Sequence, residues 1–218
     1  PVHIVQRGHN KNNVFFENEN YKAYLEWLQE GSEWYEVLIH AYALLPNEIH
    51  ILATPSDKES ASRMMQYQGR CYVPYINNAY NKTGTIWQGR YKASLIDPET
   101  QLLNNMLYIE NLPVREKLVK SAGTYKWSSY KFNAQGRKNT LITAHEKYTE
   151  LAKTDKTRLD KYTTLSKAGL ADEVNSDIQD AWQTGTPQGS DKFKKMVERR
   201  LKIKVGHAKR GRPRKNPA

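Results

Sequence analysis

The six residues from Val2 to Arg7 alternate in hydrophobicity and predict a short strand, and residues 8–13 after them read as a polar loop. The period then lengthens to that of a helix. Asn20 stands at a cap position, Tyr21, Tyr24, Leu25 and Leu28 share a face, and Gly31 is expected to end the helix after about residue 29. Residues 35–45 predict a long strand, hairpinned through Pro46-Asn47 to a second over 48–54, which Pro55 closes. A helix opening at Ser60 or Ser62 carries Met64, Met65, Gln68, Tyr72, Tyr75 and Ile76, and Pro74 within it predicts a kink or a break. A Gly-bearing loop over 81–89 leads to a strand over 90–96. Asp97-Pro98-Glu99 then supplies cap, first-position proline and early acid for a helix bearing Leu102, Leu103, Met106, Leu107 and Tyr108. That helix is expected to stop near Leu112, because Pro113 follows.

This order predicts an α+β fold: a ferredoxin-like, split βαβ antiparallel sheet with helices gathered on one face. The helix after the last strand can dock on the open face of the central hairpin, which would carry Tyr108 towards Glu48 and His50. Side chains on a strand alternate, so Glu48 and His50 point one way while Ile49 and Ile51 point the other. One face enters a core; the other presents a carboxylate and an imidazole about 6–7 Å apart along the strand. Such a pair is half a shell for a divalent metal, and is also what any half-exposed strand can carry.

Past Tyr130 the texture changes. Residues 134–143 read as a polar linker, 144–170 as polar and helix-prone, and 174–182 as a short helix. Thr184 to Gly189 reads as a turn, and Ser190-Asp191 caps a helix running to about Ile203. Charge sharpens the division. The whole excess of +11 lies in residues 192–215, where twelve Lys and Arg face one acid, Glu198. A basic tail on a balanced body points to nucleic acid. Within it, Lys209, Arg210, Arg212, Arg214 and Lys215 surround a Gly-Arg-Pro core like that of an AT-hook, which lies in narrow A·T-rich minor grooves; the alternative is generic phosphate attraction. Arg7, Arg70, Arg90 and Lys92 are further candidate phosphate contacts, and Trp87 or Tyr91 could stack on an unpaired base or fill the core. His3, His9 and His40 could approach the site or simply hydrogen-bond in loops and strands, and the structural reading is favoured for each.

No run approaches the ~18 apolar residues of a membrane span, and no charged-then-apolar signal opens the chain. The single Cys71 excludes an intrachain disulfide framework and fits a reducing cytoplasm, with association to the nucleoid expected from the tail. The chain opens on Pro1 and not on Met, so an initiator or a leader is expected before it.

Several stretches together resemble the REP-associated tyrosine transposases, a branch of the single-tyrosine HUH enzymes. They are Val5-Gln6-Arg7-Gly8-His9-Asn10, Leu45-Pro46-Asn47-Glu48-Ile49-His50, Gly84-Thr85-Ile86-Trp87-Gln88-Gly89-Arg90-Tyr91-Lys92, Tyr108-Ile109-Glu110 with Pro113-Val114-Arg115, and Trp127-Ser128-Ser129-Tyr130. The endings at 185–190 and 210–215 resemble long members of the group. The resemblance implies a metal-dependent endonuclease and strand transferase on single-stranded DNA beside REP-type hairpins, with Tyr108 as nucleophile and a 5′-phosphotyrosine intermediate. It implies Mg²⁺ or Mn²⁺ held by Glu48 and His50, and a monomer or a homodimer. The family's usual metal pair is His-hydrophobic-His, so Glu48 stands where a His is expected; a carboxylate is the harder ligand. The family's third ligand falls on Leu112, which cannot ligate, and Asn111, three residues after Tyr108, is the expected substitute. The alternative reading is a catalytically impaired, domesticated hairpin-DNA-binding protein. Expected boundaries are a nuclease domain over 1–133, a helical DNA-recognition extension over 134–205 and a flexible basic tail over 206–218.

Overall fold

A computed structural model describes residues 1–202. Strands β1 (Val2–Arg7), β2 (Val37–Leu44), β3 (Glu48–Pro55) and β4 (Lys92–Leu95) form one antiparallel sheet in the order β2-β3-β1-β4. This is the ferredoxin-like split βαβ sheet expected from the pattern. Helices α1 (Asn18–Trp34) and α2 (Ser60–Ala79) cover one face, where Ile4, Ile49 and Ile51 meet Leu28, Met64 and Tyr72. Helix α3 (Pro98–Arg115) docks on the other, where Val5, Ala41 and Leu52 meet Leu102, Met106 and Ile109. A bulge at His40 lets β2 feed both cores: Ile39 faces the first and Ala41 the second.

After α3 come the short helices α4 (Tyr130–Asn133) and α5 (Glu146–Thr149), then α6 (Asp155–Ala168), α7 (Asp172–Thr184) and α8 (Asp191–Leu201). Tyr148, Tyr162, Ile178 and Trp182 from this region join the α3 side of the core. The segment expected as a polar linker buries Leu141 and Ile142, and Ile142 bridges Ile39 on the free edge of β2. Covering that edge satisfies backbone groups that would otherwise stay open. At the other edge, Gln188 donates its N–H to Leu95 O and accepts one from Asp97 N, each at 2.8 Å.

Three helix expectations are corrected. Gly31 lies inside α1, where a Cβ would come within 3.0 Å of the Tyr67 ring; it is a close-approach glycine between α1 and α2, not a stop. Asn20 stands at the third helical position, and its side chain accepts from Phe16 N and Glu17 N as the returning half of a capping box. Helix α3 runs through Pro113 instead of stopping before it, whereas at Pro74, where a kink or a break was expected, α2 shows no break. At Pro113 one backbone bond is lost, but Glu116 N and Leu118 N still close onto Leu112 O and Pro113 O, so the last turn survives. Lys209, Arg210, Arg212, Arg214 and Lys215 lie outside the described residues.

Candidate active site

The β1–β3 register builds one wall of the site. Arg7 lies opposite Glu48, Val5 opposite His50, and His3 opposite Leu52, so His3, Arg7, Glu48 and His50 all project from the α3 face. Arg7 Nε donates to Glu48 Oε2 at 2.7 Å. The other carboxylate oxygen, Oε1, is 3.1 Å from His50 Nε2, and His50 Nδ1 is 3.0 Å from His3 Nε2. Burial works against the Glu48 charge, but His50 and Arg7 beside it prevail and hold its pKa down at about 2. His3 is fully buried, and burial, followed by the neighbouring His50, pushes its pKa well below the usual imidazole value.

Helix α3 supplies the opposite wall. The Tyr108 ring lies 6.1 Å from His50 and 5.9 Å from His3, centre to centre. The Arg115 guanidinium sits 4.7 Å from the Tyr108 ring centre, one α3 residue stacked on another. Trp182 of α7 closes the space. Its Nε1 donates to Tyr108 Oη at 3.4 Å, its ring stands perpendicular to His50 at 5.6 Å, and Arg7 lies 4.4 Å over it. Tyr108 is 2% exposed, with the Trp182 indole among the groups that cover it.

The donors fit a divalent ion in chemistry. The 3.1 Å from Glu48 Oε1 to His50 Nε2 is a hydrogen-bond length, and is also about the separation of two adjacent ligands on an octahedral ion with bonds of ~2.1 Å. Among the described residues no three His, Cys, Asp or Glu side chains cluster to hold a metal, so water and phosphate oxygens would complete such a shell. Asn111, the expected third ligand, is directed elsewhere: its Nδ2 and Oδ1 meet Ser166 Oγ of α6 at 3.1 and 3.2 Å.

Of the phosphate candidates, Arg7, Arg90 and Lys92 come together, lining with Trp182 a cleft of about 250 Å³; Lys92 Nζ also donates to Gln183 O. Arg70 is exposed on α2, the helix that covers the other face of the sheet, and does not join them. Trp87 is buried in the α1–α2 core and Tyr91 packs against that core, which leaves the filling role for both.

The sequence profile described as "Transposase IS200 like" matches residues 1–112, a span that takes in Arg7, Glu48, His50 and Tyr108. The chain belongs to the IS200-like transposase family. A REP-associated tyrosine transposase solved bound to a REP hairpin shares the fold at a TM-score of 0.52 and 16% identity, covering 66% of this chain and 84% of that one. A candidate transposase from Deinococcus radiodurans R1 aligns at a TM-score of 0.38 and 15% identity, over 50% of this chain and 88% of that one, too distant to argue from. The sequence matches none of the curated proteins compared with it. Among the described residues no helix is long and apolar enough to cross a membrane.

Two contributors, Arg115 and Trp182, have no role expected from the sequence, and His3, for which a structural role was favoured, joins them. Arg115 had a usable signal, since seven residues from Tyr108 is two helical turns on one face. His3 shares a strand face with Arg7, which alternation alone shows, but its partner depends on register. Trp182 sits on an amphipathic helix whose burial was predictable and whose target was not.

Proposed function

We propose that the chain is a metal-dependent tyrosine endonuclease and strand transferase that cuts and rejoins single-stranded DNA beside REP-type hairpins. The observation that supports this is the approach of Tyr108 to His50, itself in contact with Glu48, across the α3–sheet interface. The Tyr108 oxygen forms a bond to phosphorus as the bond to the 3′ oxygen breaks; the phenol loses its proton and the leaving oxygen gains one. The products are a 5′-phosphotyrosine and a free 3′-OH, and because the ester keeps the bond energy the step reverses onto another 3′-OH. Glu48 and His50 would hold Mg²⁺ or Mn²⁺, which supplies charge neutralisation of the phosphate when bound. Arg7, Arg90 and Lys92 hold the incoming strand by its phosphates. Residues 134–205 and the basic tail over 206–218 serve hairpin recognition, and the hairpin bound by the structural neighbour makes REP-type stems the first substrates to try.

The cover on Tyr108 favours a second reading, a hairpin-binding protein whose chemistry is suppressed. Labelled hairpin oligonucleotides incubated with the protein and Mn²⁺ or Mg²⁺, then run on a denaturing gel, separate the two. A covalent adduct is expected; its absence with every metal, with the hairpin still bound in a native gel, would favour the binding protein instead.

A further inference from the structure

A cavity of about 390 Å³ lies where the C-terminal helices meet α3. Gln101 and Asn104 of α3 line it from one side, α7 and the turn after it from another, and α8 contributes Lys194. Its size falls in the range of small-molecule sites. Val174, Ile178, Ala181 and Pro187 give it an apolar surface, which suits the flat face of a ring. Asp177 and Asp180, nearly one helical turn apart on α7, add two carboxylates, and neither is hydrogen-bonded or ion-paired among the described residues. Gln188, at 8% exposure, also belongs to the wall. Its Oε1 accepts from Asn105 Nδ2 at 2.9 Å, so the atom left over is the donor Nε2, which is buried and has no partner. A buried donor without an acceptor is costly, and an acceptor on a bound ligand relieves that cost.

Two carboxylates against one ammonium repel a phosphate. No third acidic or imidazole side chain joins the pair among the described residues, which argues against a metal ion. What fits is a flat ring that gives N–H donors to carboxylates and an acceptor to an amide. We infer that the cavity receives one unpaired base of the single strand beside the hairpin, and that it takes a base with an exocyclic amino group in preference to thymine. Cytosine, adenine and guanine each carry such a group beside ring or carbonyl acceptors, and a carboxylate is a natural acceptor for it. Thymine has only its ring N–H to offer. The place of the cavity fits a nucleotide close to the cut. Asn104 precedes Tyr108 by four residues, about 6 Å of helix. Ala181 in the wall adjoins Trp182, which touches the Tyr108 oxygen. Extruded bases are commonly read in this way, by hydrogen bonds to their edge in a snug pocket. The inference rests on the reading of the chain as an enzyme of single-stranded DNA beside hairpins, and names where that strand would be read.

The test uses the full chain and hairpin oligonucleotides with single-stranded flanks, in which each unpaired base in turn is removed or replaced by thymine. Affinity is read on native gels. At one position, losing an amino-bearing base should weaken binding by roughly 10-fold, and thymine there should do little better. The double variant Asp177→Asn/Asp180→Asn keeps side-chain size at two exposed positions and should fold normally. In it, the preference for the amino-bearing base over thymine at that position should shrink to about twofold or less. The ratio is the measurement, because removing two negative charges raises affinity for any DNA. An unchanged ratio in the double variant would place the base elsewhere and overturn the inference. So would a wild-type protein that binds the hairpin with no sensitivity to any unpaired base. A wild-type protein that binds no hairpin at all would sink the functional reading itself, and this assignment with it.

Discussion

Trp182 Nε1 donates to Tyr108 Oη at 3.4 Å, so a residue of α7 rests on the one oxygen that the proposed chemistry must expose. Opening costs at least that hydrogen bond, worth about 1 kcal/mol. Trp182→Phe keeps an aromatic ring and removes the donor. Its rate of covalent adduct formation in a single turnover should rise by roughly fivefold. A rate equal to or below wild type would show that the tryptophan does not gate the tyrosine.

Tyr108→Phe removes one oxygen and keeps the ring that packs on Arg115, His3 and His50. Stability should change by no more than about 1.5 kcal/mol, and hairpin affinity should barely move. Cleavage and the covalent adduct should vanish together. Sequencing the DNA-linked peptide from a wild-type adduct checks the site, and a modified peptide without Tyr108 would refute the assignment.

Glu48 is held ionised between Arg7 and His50, which is the state a ligand needs. Glu48→Ala should abolish metal-dependent cleavage while hairpin affinity, spread over many phosphate contacts, stays close to wild type. Glu48→His should retain or raise activity. Full cleavage by the Ala variant, measured on labelled oligonucleotides, would remove Glu48 from the metal site.

Five basic residues lie from Lys209 to the end of the chain. If all of them meet phosphates, deleting that stretch should lower the slope of log affinity against log salt by ~3.5–4.5 units. Titrations at several salt concentrations decide this, and an unchanged slope makes the tail a bystander.

Glu110, two residues after Tyr108 on α3, is fully buried and accepts from Ser129 Oγ, from Asn133 Nδ2 at 2.7 Å and from Tyr162 Oη at 2.8 Å. Burial raises its pKa to about 7 against the lowering effect of these donors. A carboxyl raised in the fold stabilises fully below its unfolded pKa of ~4.3, and that stability is lost as pH rises through about 7. Glu110→Gln removes this dependence. Its unfolding free energy relative to wild type, from denaturant titrations, should therefore improve steadily between about pH 4.5 and 7, by a few kcal/mol in all. A constant difference across that range would show that Glu110 does not titrate there.

Some of the protein was decided by local sequence. Alternation along β3 places Glu48 and His50 on one face whatever the strand pairs with, because the side-chain period of a strand is two. Asp97-Pro98-Glu99 starts α3 by local hydrogen bonding, with Asp97 capping Glu99 N as expected. The charge step at residue 192 needs no structure at all. What local rules could not supply were the choices made by distant neighbours. Gly31 read as a stop and Pro74 as a kink or a break, yet α1 runs through the glycine, packed on α2, and α2 is unbroken at the proline. Asn111 sits where helical spacing put it, but α6 presents Ser166, and a side chain bonds to the polar group that arrives. The contact of His3 with His50 follows from register, and that of Trp182 with Tyr108 from docking across 74 residues of chain. Neither has a local signature, because each becomes favourable only after the cores on both faces of the sheet have closed.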